Sequence, residues 1–158
     1  MIKAFPSRRS LAGGIVAGLI GGCLLGACIV GMTGALGYDP GRGLANFFAF
    51  DAAALVGKAA YTSAAYVALG VVLHFLVAAS WAVGYAYLAE RMPQLVSRPV
   101  LSGAMFGLIV FFATEVVLIE ASLFTAPKPA ELLILLFGYL GCYGVPVAWI
   151  VARAQRAA

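Results

Sequence analysis

Leu11-Ala12-Gly13-Gly14-Ile15-Val16-Ala17-Gly18-Leu19-Ile20-Gly21-Gly22-Cys23-Leu24-Leu25-Gly26-Ala27-Cys28-Ile29-Val30-Gly31-Met32-Thr33-Gly34-Ala35-Leu36 contains no charged side chain. A helix needs about 20 apolar residues to cross a bilayer, and this run exceeds that. Ser7-Arg8-Arg9-Ser10-Leu11 and Leu25-Gly26-Ala27-Cys28 have the look of an export signal and a lipoprotein cleavage box. The apolar core of a signal spans only about 7 to 15 residues, so an uncleaved first span is expected. The rest of the chain agrees. Its 158 residues are 64% hydrophobic and 10% charged, with a mean hydropathy of +1.04, whereas soluble domains carry about a quarter charged residues. Disorder is excluded by the hydrophobicity. A nucleic-acid partner is excluded because the net charge of +4 comes from scattered Lys and Arg. Residues 1–158 read as a single integral membrane domain in contact with the lipid bilayer.

Four spans follow from the apolar runs: 11–36, 66–88 with His74 inside, 100–122 with Glu115 and Glu120, and 132–151. Asp39-Pro40-Gly41, Pro93, Pro99, Pro127 and Pro129 punctuate the connections. Lys3, Arg8, Arg9, Arg91, Arg98, Arg153 and Arg156 belong to one side, and Arg42, Lys58 and Lys128 to the other. The excess of positive charge predicts cytoplasmic N- and C-termini, as an even number of spans requires. The outer connection, 37–65, is too long for a turn and apolar over Leu44–Val56. A short interfacial helix is preferred over a re-entrant segment, because Asp39, Arg42, Asp51 and Lys58 are costly at depth. The fold class is an all-α four-helix membrane bundle.

Ser7-Arg8-Arg9-Ser10-Leu11-Ala12-Gly13 and Ser97-Arg98-Pro99-Val100-Leu101-Ser102-Gly103 open the first and third spans in similar terms. Gly84-Tyr85-Ala86-Tyr87 before Arg91 parallels Pro146-Val147-Ala148-Trp149 before Arg153. Two hairpin repeats of the same orientation are therefore expected. Gly14, Gly18, Gly22 and Gly26 form a glycine zipper at four-residue spacing, and Gly103 and Gly107 repeat it in the third span. Such faces let helix backbones approach closely, either within the bundle or against a partner. Pro146 removes a backbone donor and is expected to kink the fourth span.

Ionisable groups inside a bilayer are functional candidates by default. His74 stands fourteen residues from Leu88, Glu115 fourteen from Leu101 and Tyr139 fourteen from Arg153. At about 1.5 Å per residue each lies about 21 Å above the inner boundary. His74, Glu115 and Tyr139 are thus expected to meet in one intramembrane polar layer, whereas Glu120 reaches for the outer interface. That layer is either structural glue or a protonatable site pairing His74 with Glu115. His74 is the single histidine, and Cys23, Cys28 and Cys142 form no C-x-x-C pair. No metal, no cofactor and no redox chemistry is expected. No hydrolase, phosphate-binding or metalloprotease motif is present, so an enzyme is not expected.

From His74 onward, His74, Ala82-Val83-Gly84-Tyr85, Ala89-Glu90, Pro93, Leu101-Ser102-Gly103-Ala104 and Phe137-Gly138 resemble the YagU-like family of bacterial inner-membrane proteins. The resemblance covers the C-terminal half and implies a four-helix protein of the bacterial inner (cytoplasmic) membrane. It lends no substrate. That family has further histidines in its last two spans where Phe111 and Tyr139 stand here. Two functions follow as expectations. The leading one is a non-enzymatic accessory or scaffold subunit docking to other membrane subunits through its glycine faces. The alternative is a small oligomeric proton-linked transporter or channel using the His74/Glu115 layer, oligomeric because one four-helix bundle encloses little water.

Overall fold

The computed structural model describes residues 6–116 and 128–156, and every regular element among them is helical. Helix α1 spans Arg8–Ala35, opened by Ser7, whose hydroxyl accepts from the Ser10 N–H at 3.1 Å. It stops before Gly37, whose φ of +91° reverses the chain in a conformation other residues rarely adopt. Asp39 then caps α2, Pro40–Val56, by accepting from the Arg42 N–H at 2.8 Å, with Pro40 in the first turn where its missing N–H costs nothing. Gly57, φ +61°, ends α2. A tight helical turn, Gly57–Tyr61, leads into α3, Ala64–Ala89. The short α4, Pro93–Ser97, joins α5, Pro99–Phe111, which continues into a wide π-helical turn, Phe112–Val116. Helix α6 spans Pro129–Arg156 and is π-helical over Gly138–Gly144. Helices α1, α3 and α6 are long and apolar enough to cross a membrane. The end of the third expected span, with Glu120, lies outside the described residues.

The glycines decide which helices touch. A methyl on Gly14 would stand 2.7 Å from Val83 Cα, and one on Gly18 would stand 2.5 Å from Ala79 Cα. Those approaches run antiparallel along α1 and α3. Gly22 faces His74 and Ala78, and Gly26 faces Phe47 of α2. On the other side of the bundle Gly103 packs on Gly144, Val145 and Ala148, and Gly107 packs on Tyr139 and Leu140. All six glycines are buried within the chain, so their faces are not open to a partner. Close backbone packing, with no apolar driving force from lipid, uses them internally.

Pro146 does not break α6. The π-helical stretch Gly138–Gly144 lies just before it, where a helix that has lost a backbone hydrogen bond relaxes by widening. The helix then continues through Pro146 to Arg156.

The charged groups collect at the two ends. Glu90, just past α3, accepts from Ser7 and from Ser10 Oγ at 2.5 Å. Gln155 Nε2 donates to the Ala86 carbonyl at 3.0 Å, and Arg156 donates to that of Val96 at 2.6 Å. These bonds bring the start of α1, the α3–α5 connection and the end of α6 to one end of the bundle. At the opposite end the Tyr38 hydroxyl donates to Glu131 Oε1 at 2.8 Å, tying the exit of α1 to the entrance of α6.

Helix α2 lies in the 37–65 connection, where a short helix is expected. It packs against α1 and α3: Phe47 meets Gly26, Phe48 meets Gly70, and Ala49, Ala52 and Ala53 are buried. Asp51 is half-buried. Its carboxylate reaches His74, ten residues into α3.

Candidate functional site

Two pairs of polar side chains meet beside one cavity. In the first, the His74 ring is held on both nitrogens: Nε2 lies 3.2 Å from the Gly22 carbonyl and Nδ1 lies 3.1 Å from Asp51 Oδ2. Gly22 makes this possible, since a side chain there would press on the imidazole. Phe47, Phe48 and Phe75 pack edge-on to the ring at centroid distances of 4.9, 5.6 and 5.2 Å. The Gly22 carbonyl and a carboxylate both only accept, so the imidazole donates to whichever of them faces its N–H, and the tautomer decides which.

In the second pair Tyr139, buried on α6, donates to Glu115 Oε1 at 2.9 Å. The Thr114 hydroxyl lies 3.2 Å from the same phenol. Glu115 is 5% exposed. It sits in the wide turn Phe112–Val116, and the extra residue in that turn sets it back toward the buried side of α5 marked by Gly103, Phe106, Gly107 and Val110. Glu115 Oε2 takes no hydrogen bond from any of the described residues.

Counting residues along helices set His74, Glu115 and Tyr139 at one level, and the structure brings them to the wall of one cavity of about 500 Å³. Tyr139 and Glu115 touch. His74 and Glu115 are not paired, because the imidazole has Asp51 as its partner. Asp51 was missed because it lies in the connection, where no helical count sets depth. The signal for it was an acid in the middle of an apolar stretch, Leu44–Val56, with an unmatched histidine in the next span. The cavity extends past Phe47, Phe50 and Tyr61 toward Tyr38 and Glu131, at the end of the bundle opposite the chain termini. At that mouth the Glu131 carboxylate, accepting from the Tyr38 phenol, holds the phenol above its ordinary pKa of 10.0. Small-molecule sites measure about 300–1,000 Å³.

The described residues contain no group of three or more His, Cys, Asp or Glu side chains that could hold a metal ion. Cys23, Cys28 and Cys142 are free thiols. No protein-family model, curated protein or solved structure matches the chain. The helices α1, α3 and α6, long and apolar enough to cross a membrane, give the class: an all-helical protein compatible with a membrane, with a largely apolar cavity that carries a few polar groups.

Proposed function

We propose that this is a small proton-linked transporter or channel whose working site is the cavity between His74–Asp51 and Glu115–Tyr139. The observation that carries the reading is the imidazole set between two acceptors, Gly22 and Asp51, at the edge of a solute-sized space. A scaffold role loses its main support because the glycine faces on which it rested are covered inside the chain. In this reading α5 continues across the bilayer as the fourth span and α2 is re-entrant, descending beside α3 and returning after Gly57. The low cost of Asp51 at depth comes from its pairing with His74. The resemblance and the cluster of Arg8, Arg9, Arg91, Arg98, Arg153 and Arg156 at one end support a bacterial inner membrane with both termini cytoplasmic. The cavity then faces outward.

The test is proton movement. Purified protein is reconstituted into liposomes containing a pH-sensitive dye, and a potassium diffusion potential, negative inside, is imposed. Wild-type vesicles are expected to acidify faster than empty ones, and His74→Asn or Glu115→Gln vesicles to match the empty ones. Wild-type traces superimposed on those of empty vesicles overturn the proposal.

A further inference from the structure

The cavity lining has a charge pattern that selects a ligand. Asp51, Glu115 and Glu131 contribute to it, and no Lys or Arg does so among the described residues. Anions are therefore disfavoured. Two of the three acids are already engaged. Glu131 accepts from Tyr38 at 2.8 Å on one oxygen and from the Lys128 N–H at 3.0 Å on the other. Asp51 faces His74 at 3.1 Å. Glu115 is 5% exposed and bonded to Tyr139 through Oε1 alone, and Oε2 is left without a partner among the described residues. No buried side-chain oxygen among the described residues lacks a partner, so Oε2 opens onto the cavity, where a positive or hydrogen-bonding group can meet it. In its ionised form Glu115 pairs with one positive charge.

The walls say what kind of cation. Phe47, Phe50, Tyr61 and Tyr139 contribute rings to the lining, and aromatic faces attract ammonium groups within about 6 Å of the ring centre. A bare inorganic cation wants about six oxygen ligands, which Glu115 and its neighbours do not supply. A volume of about 500 Å³ leaves room for an apolar body beside the charge. We infer that the cavity takes a monovalent organic ammonium ion, with its charge on Glu115 and its apolar body among Phe47, Phe50 and Tyr61. This rests on the reading of the cavity as the working site, and it adds the class of solute.

The experiment is calorimetric titration of the detergent-purified full chain with benzyltrimethylammonium, a cation that cannot lose its charge. Wild type is expected to bind one equivalent. Glu115→Gln should weaken binding by about tenfold or more, as loss of a charged contact does. Glu131→Gln, whose acid is spent at the mouth, should change binding less than about threefold. No binding by wild type overturns the inference, as does equal weakening by the two variants, which would mean a diffuse negative field. If Glu115→Gln does not fold, Glu115→Asp keeps the charge and shortens its reach. Weakened binding there supports the inference, and wild-type binding overturns it. The two readings fail separately. Binding without proton movement in vesicles removes the transport role and keeps the site. Proton movement without ammonium binding removes only the solute class.

Discussion

Substituting Gly18 by Ala adds one methyl group at the tightest point between α1 and α3. That methyl would lie 2.5 Å from Ala79 Cα, 2.7 Å from the Ala78 carbonyl oxygen and 2.8 Å from the Ala79 nitrogen. All three are backbone atoms, so no side chain can swing aside. Carbon atoms settle at about 3.5–4.0 Å, so the helices must part by roughly 1 Å along that line. A gap of that size forfeits a quarter to a half of each neighbouring contact. Overpacking of this kind costs about 1–3 kcal/mol. The matched control is Gly84→Ala on α3, where an added methyl meets nothing within 4 Å. Both changes carry the same helix-propensity gain, so their difference isolates the packing term. It corresponds to roughly 5- to 150-fold in the unfolding equilibrium. Reversible unfolding in mixed micelles with increasing sodium dodecyl sulfate, followed by far-UV circular dichroism and by the fluorescence of Trp81 and Trp149, measures it. Gly18→Ala should unfold at lower detergent fraction than Gly84→Ala. Equal midpoints would refute the close α1–α3 approach and with it the internal use of the glycine stripe.

Two further outcomes follow from the same measurement. Tyr139→Phe should cost more than Tyr143→Phe. The first leaves a buried carboxyl group short of a donor, at about 1–3 kcal/mol. The second removes a 2.6 Å bond to the Ala78 carbonyl, an oxygen within a helix that keeps its backbone partner. The reverse order would contradict the Glu115–Tyr139 geometry. Glu90 supplies a pH dependence. Partial burial pushes its carboxyl up, but bonds from Ser10 and Ser7 and the charge of Arg91 outweigh it and hold the group below its ordinary value of 4.5. A carboxylate depressed on folding contributes stability above the unfolded value and loses it as pH falls through the folded one. Resistance to unfolding should therefore drop below about pH 4.5 in wild type, and Glu90→Gln should flatten that limb. An unchanged acid limb in the variant assigns it to other groups.

The apolar helices were legible in the sequence because hydropathy is read along the chain, and His74, Glu115 and Tyr139, grouped there by counting, line one cavity. Burial of Gly14, Gly18, Gly22 and Gly26 was legible as a choice between two uses, inside the bundle or against a partner. Spacing along one helix does not say which second helix arrives, so the choice needed α3 in place. The wide turn at Phe112–Val116 was not legible at all. Phe112-Ala113-Thr114-Glu115-Val116 has no proline or glycine, and ideal helical phase leaves Glu115 off the buried side that Gly103, Phe106, Gly107 and Val110 mark.

Asp51 is the instructive case. Its expected place in an interfacial helix comes from pricing one charge at a time. That price applies to an isolated ion. A carboxyl and an imidazole 3.1 Å apart satisfy one another, which lowers the cost of burying either. The same argument makes α2 dependent on the pair. Ala49, Ala52 and Ala53 offer small side chains for packing, so Asp51 and the aromatic pair Phe47 and Phe48 are what hold the helix against α1 and α3. A change that empties either partner leaves the other without its hydrogen bond. Asp51 therefore belongs to the fold and to the proposed chemistry at once, and Asp51→Asn is expected to disturb both.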